Sequence, residues 1–134
     1  MCYFFSEAHK IFSQAVIDCK QKGGKLAEPK DDRTRKILIN NANGYPWIGI
    51  KKVGSTWKYV SDGSTVARMK WSSGHPNGAG NCIMIQKGLT GYYDYVCHST
   101  YRYICEFWKK CYAKRIINSE IGHYYHSVSA FLPV

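Results

Sequence analysis

"PWIGI", Pro46–Ile50, is an unbroken apolar run between Asn43-Gly44 and the Lys51-Lys52 pair. Five residues without a charge, flanked by polar sequence, read as a buried strand. On its N-terminal side, "EPKDDRTRKILINNANG" reads as a helix. Asp31 and Asp32 suit the positive end of its dipole, and Asn43-Gly44 closes it. Further back, "IFSQAVIDCKQKGG" sets Phe12, Ala15, Val16 and Cys19 at the i, i+3, i+4, i+7 spacing of one helical face, with Gly23-Gly24 as its C-terminal stop. Cys19 therefore points inward, where a disulfide would staple the helix to the core. "CYFF" at the start reads as a short strand.

On the C-terminal side, "STWKYVSDGS" alternates up to an Asp62-Gly63 turn, the pattern of a strand and hairpin. From Ser61 to Asn81 the chain is rich in Gly, Ser, Asn and Pro; a loop of this length in a small domain tends to be functional. "CIMIQ" and "YRYICEF" return as strands, with Cys82, Cys97 and Cys105 in or beside them. Past Phe107, "KKCYAKRIINSEIGHYYHSVSAFLPV" has no clear period, so residues 108–134 are set apart as an extension of unassigned structure. No internal repeat is present.

A chain of 134 residues fits one core. Its 45% hydrophobic content argues against disorder, and no apolar run approaches the roughly 20 residues of a membrane span. "MCYFFSEAHK" lacks the basic start, apolar core and cleavage site of a signal peptide. Six cysteines read as a disulfide framework, which belongs to a secreted, extracellular setting. Fifteen full pairings are open to them. The nearest zinc candidates, Cys105, Cys111, His123 and His126, miss the usual ligand spacings. Nineteen basic residues against nine acidic give a net charge of +10, which favours anionic partners such as sulfated or phosphorylated glycans. The plainer reading of that charge is a solvated basic face. No nucleic-acid motif is visible, and no G-x-S-x-G, H-E-x-x-H or phosphate loop suggests an enzyme.

In order, "CYFF", "AVIDCKQKGGKLAEP", "WIGI", "SDGS", "W…HPN…NC", "YYD..C" and "YICEF" resemble the C-type lectin-like domain from Cys2 to about Phe107. The resemblance implies an α+β fold of two helices and two small antiparallel sheets carrying a long loop. It also implies disulfides Cys19–Cys105 and Cys82–Cys97, each worth about 2–4 kcal/mol. Cys2 matches a cysteine that pairs upstream in longer members. Cys111 could replace that partner, since the family's first and last strands are neighbours; the alternative is two free or intermolecular thiols, the latter able to link a dimer.

Sugar-binding members hold calcium with a Glu-Pro-Asn or Gln-Pro-Asp motif, a glutamate two residues before the next cysteine, and a Trp-Asn-Asp motif. Here His75 stands at the first position and is a poor calcium ligand; Pro76 and Asn77 are kept. Gly80 replaces the glutamate, Tyr92 and Tyr93 replace Trp and Asn, and Asp94 is kept. The acidic positions of a second calcium site fall on Gly78, Gly80 and Asn81. Only Asn77 and Asp94 survive as metal-site residues, so the expectation is a weak or vestigial calcium site and no required cofactor.

Recognition would then fall to His75, Asn77, Tyr93 and Asp94 on the loop edge, with Arg68 and Lys70 nearby for sulfate, phosphate or uronate groups. Alternation with Asp94 places Tyr95 in the core and leaves Tyr93 exposed. Cys97-His98 would suggest a nucleophile only if Cys97 were unbonded. The leading expectation is an extracellular, pattern-recognising glycan-binding module with little calcium dependence. A protein-binding module without sugar binding and a charge-driven matrix protein are the alternatives.

Overall fold

The computed structural model describes residues 1–109, residue 111 and the backbone of residues 122–126. Ten elements follow in chain order: β1 (Cys2–Ser6), α1 (Phe12–Gln21), β2 (Lys25–Leu26), α2 (Asp32–Asn41), β3 (Trp47–Val53), β4 (Thr56–Tyr59), β5 (Cys82–Met84), β6 (Tyr93–Tyr95), β7 (Ile104–Phe107) and β8 (Gly122–His126). They form two four-stranded sheets, ordered β2-β7-β1-β8 and β4-β3-β5-β6. The pairings β1–β7, β1–β8, β3–β4, β3–β5 and β5–β6 are all antiparallel. No helix among the described residues is long and apolar enough to cross a membrane.

The Trp47–Ile50 stretch is the hinge of the arrangement. Its four residues are buried, and Trp47 and Ile50 are fully so. The Trp47 indole N–H donates to the Lys10 carbonyl at 3.0 Å, and its ring meets Phe12 and Tyr101 edge-on at 5.5 and 5.6 Å. One side chain thus joins the second sheet to α1 and to the segment leading into β7. A buried indole needs its polar edge satisfied as well as its faces packed, and here both are.

Helix α1 buries Phe12, Ala15 and Cys19 on the expected face, while Val16 is only partly covered. It ends where Gly23, at φ +91°, takes the left-handed conformation that a side chain disfavours. Helix α2 starts at Asp31, whose carboxylate accepts the Thr34 backbone N–H at 2.7 Å. Leu38 and Ile39 then point into the core.

The disulfides are Cys2–Cys111, Cys19–Cys105 and Cys82–Cys97, and no described cysteine is free. The first settles Cys2 and Cys111 as an intrachain pair. The second ties α1 to β7, and the third ties β5 to the chain just beyond β6. Sequence analysis assigned nothing to residues 108–134, yet Gly122–His126 adds an edge strand to the first sheet, with Phe4 opposite Tyr124. The rest of that segment, apart from residues 108, 109 and 111, lies outside the described residues.

Two acids lie inside this frame. Glu28 and Glu106 are almost fully buried, and the Glu28 backbone N–H donates to Glu106 Oε1 at 2.6 Å. Glu28 accepts from the Ser61 backbone and hydroxyl at 2.8 and 2.9 Å, and Lys25 reaches it at 3.2 Å. These contacts moor the base of the long loop to β2.

Candidate functional site

The long loop leaves the second sheet after β4 and returns at β5. The β4 hairpin forms at the expected turn, with Lys58 opposite Thr65 and the Tyr59 N–H donating to the Ser64 carbonyl at 2.8 Å. Farther on, the loop is sewn to Gly91 and Tyr92, the residues that lead into β6. Trp71 pairs with Tyr92, the Ser72 N–H donates to the Tyr92 carbonyl at 3.0 Å, and Tyr92 N–H donates to Lys70 at 2.7 Å. The Gly91 N–H donates to Ser72 Oγ at 3.0 Å. These bonds deliver His75-Pro76-Asn77, with a cis bond between His75 and Pro76, onto the edge formed by β6.

Asp94 of β6 is the anchor. Only 1% of it is exposed. Its Oδ1 lies 2.9 Å from His75 Nδ1 and accepts the Asn77 N–H at 3.0 Å, while its Oδ2 accepts the Gly78 N–H at 2.8 Å. Burial pushes the Asp94 carboxyl up, but the hydrogen bonds from His75, Asn77 and Gly78 outweigh it and hold the group below the usual carboxylate value. Asn77 stays exposed, but its Oδ1 accepts the Ala79 N–H at 2.9 Å and closes a local turn. The retained asparagine and aspartate fold the loop onto β6.

The donor set can be tested against calcium, which takes six to eight oxygens, several of them carboxylates. Both Asp94 oxygens are already engaged from within the loop, and the side-chain oxygen of Asn77 is engaged by its own turn. His75 offers nitrogen. Gly80 offers nothing and has no room to: a Cβ there would strike the backbone carbonyl of Tyr95. A glutamate at this position would have to push β6 away. The residues do not fit a calcium ion.

The outer side of β6 is aromatic. The His75 ring stacks on Tyr93 at 4.4 Å and 16°, and the Tyr93 hydroxyl donates to Gln86 at 3.2 Å. Tyr45 lies 6.4 Å from Tyr93 and 6.0 Å from Tyr101, and Tyr95 stands edge-on to Tyr101 at 5.6 Å. Five rings form a continuous edge, with Tyr45 at 39% and Tyr95 at 37% exposure as its open faces.

This corrects the expected placement of the tyrosines. Tyr95 is exposed and Tyr93 is half-buried. Alternation along β6 is obeyed, but with Asp94 inward, because its carboxylate has a full set of donors there. The tyrosines on either side must then face out, and His75 covers Tyr93. Sequence reasoning missed Tyr45 and Tyr101; the density of tyrosines was the available signal, but their convergence depends on tertiary packing. Cys97 is bonded to Cys82, so it supplies no thiolate beside His98.

Arg68 and Lys70 belong elsewhere. They line a cavity with Pro29, Lys30, Arg35 and Tyr92, between the start of α2 and the long loop, and His75, Asn77 and Tyr93 are absent from its lining. The six expected ligand-binding residues therefore divide into a proline-loop group and a cationic group.

The model of the Lectin C-type domain matches residues 8–107. C-type lectin domain family 3 member A of Bos taurus is 33% identical over 116 residues, covering 79% of this chain and 59% of the relative, so the chain spans less than two thirds of that protein. The C-type carbohydrate-recognition domain of cow CD23, solved in the presence of a GlcNAc2Man3 oligosaccharide, is 27% identical at a TM-score of 0.72, over 82% of this chain and 89% of that one. A calcium-independent type II antifreeze protein shares the fold at a TM-score of 0.68 and 24% identity, over 78% and 83% of the two chains. With its two helices, two antiparallel sheets, long loop and intrachain disulfides, the chain belongs to the C-type lectin domain family.

Proposed function

We propose that this domain is an extracellular glycan-recognition module that binds sugar rings on its aromatic edge without calcium. One observation carries the reading: each side-chain oxygen of Asn77 and Asp94 already accepts a hydrogen bond within the loop, while the rings of Tyr45 and Tyr95 stand open beside it. Tyrosine offers an apolar face to the C–H side of a pyranose and a hydroxyl to its polar rim. Three disulfides support an oxidising, extracellular setting, as suits recognition of microbial or host surfaces. A calcium-independent type II antifreeze protein shares this fold, which supports the reading.

The test is a glycan array probed in calcium and in EDTA, with wild type and a Tyr45→Ala/Tyr95→Ala variant. Retention should survive chelation and fall about tenfold in the variant. Loss on chelation alone would refute the reading. A protein-binding module is favoured by one feature, the exposure of Val96 at 43% beside these tyrosines. It predicts an empty array and a single partner whose capture depends on the same two rings.

A further inference from the structure

Pro29, Lys30, Asp31, Asp32, Arg35 and Tyr59 form one wall of a cavity of about 310 Å³, and Arg68, Lys70 and Tyr92 close it from the loop side. It draws on α2, β4 and the long loop, and shares no lining residue with the aromatic edge. Four cations face two carboxylates, and the carboxylates are already used. Asp31 caps α2 through Thr34, and Asp32 accepts from Arg35 Nη1 at 2.6 Å.

The cations are less fully used. Lys30 sits 3.3 Å over the Tyr59 ring and 3.6 Å from Glu28. Arg68 and Lys70 form no ion pair among the described residues. Arg35 is the decisive group. Its side chain is 8% exposed, and its buried Nε finds no acceptor among the described residues. A buried guanidinium N–H without an acceptor is costly, and the side chain that carries it lines the cavity. Burial also pushes the Tyr92 hydroxyl up, so it stays protonated as a further donor at the cavity wall.

We propose that this cavity is an oxyanion site, in which Arg35, Arg68 and Lys70 grip a sulfate or phosphate monoester carried on a sugar. Arginine suits a tetrahedral oxyanion because its planar fork can donate two parallel hydrogen bonds, while lysine adds a point charge. The site deepens the glycan reading by naming a charged substituent, yet its residues are separate, so either idea can fail alone.

The experiment follows the Arg35 Nε–Hε resonance while glucosamine 6-sulfate, glucose 6-phosphate or uncharged methyl glucoside is titrated into the full chain. The charged sugars should give a saturable shift and the uncharged one none; whichever ester binds more tightly identifies the source of the oxyanion. Arg68→Ala/Lys70→Ala should weaken binding about tenfold or more, since two charge-assisted contacts are lost. Lys51→Ala/Lys52→Ala removes the same charge from an exposed strand end and should change it less than twofold. Tyr45→Ala/Tyr95→Ala should leave the Arg35 shift unchanged. No saturable shift, or equal weakening in the two charge-matched variants, overturns the proposal.

Discussion

Asp94 gathers the proline loop onto β6 through its buried carboxylate. Its carboxylate replaces solvent with His75 and two backbone N–H groups, so truncation strands those donors. Asp94→Ala should cost about 2–4 kcal/mol in urea denaturation, because hydrogen bonds to a charged acceptor are lost inside the protein. The pH dependence follows from the direction of its shift. A folded value below 3.8 means that the stabilisation is complete above 3.8 and disappears as pH falls through the folded value. The Asn77 and Gly78 amide resonances should therefore hold steady down to that point and move only below it; movement with a midpoint above 3.8 would contradict the assignment. Gly80→Ala should destabilise by about 1–3 kcal/mol, since the added methyl meets the Tyr95 backbone rather than a yielding side chain. That His75 and Gly80 bring no side-chain oxygen to the proline loop was legible in the sequence. The inward turn of Asp94 was not, because an isolated aspartate beside tyrosines carries no sign of the amides that will satisfy it.

Among the elements, α1 was readable from periodicity, β3 from its unbroken apolar run and α2 from its acidic start, with Asp31 as the N-cap of α2 and Gly23 just past the end of α1. The expected stop of α2 at Asn43-Gly44 comes earlier, at Asn41, because Ala42 already turns extended. Strand β6 is only three residues long and is held by its neighbour β5 and by the disulfide beyond it, so local pattern was too short to announce it. Strand β8 is an edge strand whose pairing spans more than a hundred residues, and no local window contains its partner β1. The Cys82–Cys97 bridge closes a 15-residue separation around β5 and β6. Replacing both cysteines with alanine should cost about 3 kcal/mol of stability, as loop-closure entropy for that length gives. The aromatic edge, supported by β6, should loosen with it. Tryptophan fluorescence during thermal unfolding would check the first effect and Tyr95 ring resonances the second. An unchanged melting temperature would show that strand pairing alone holds the loop.

At the scale of the molecule, the two sheets meet around Trp47 and leave the long loop to carry chemistry. Trp47→Ala should cost about 3–5 kcal/mol and disturb both sheets, which a far-ultraviolet dichroism melt would detect as one cooperative loss. Charge is distributed apart from the rings: cations collect around α2 and the loop, tyrosines along β6. A net charge of +10 also makes weak attraction to any polyanion unavoidable, so salt dependence alone cannot establish a site. The loop folds by turning the side-chain oxygens of Asn77 and Asp94 onto its own backbone N–H groups, where they would otherwise serve an ion. Calcium titration by calorimetry addresses it most directly. No saturable heat should appear up to about 1 mM calcium and the melting temperature should not change, since ligand number and charge set affinity. A one-site micromolar isotherm that Asp94→Asn abolishes would contradict it.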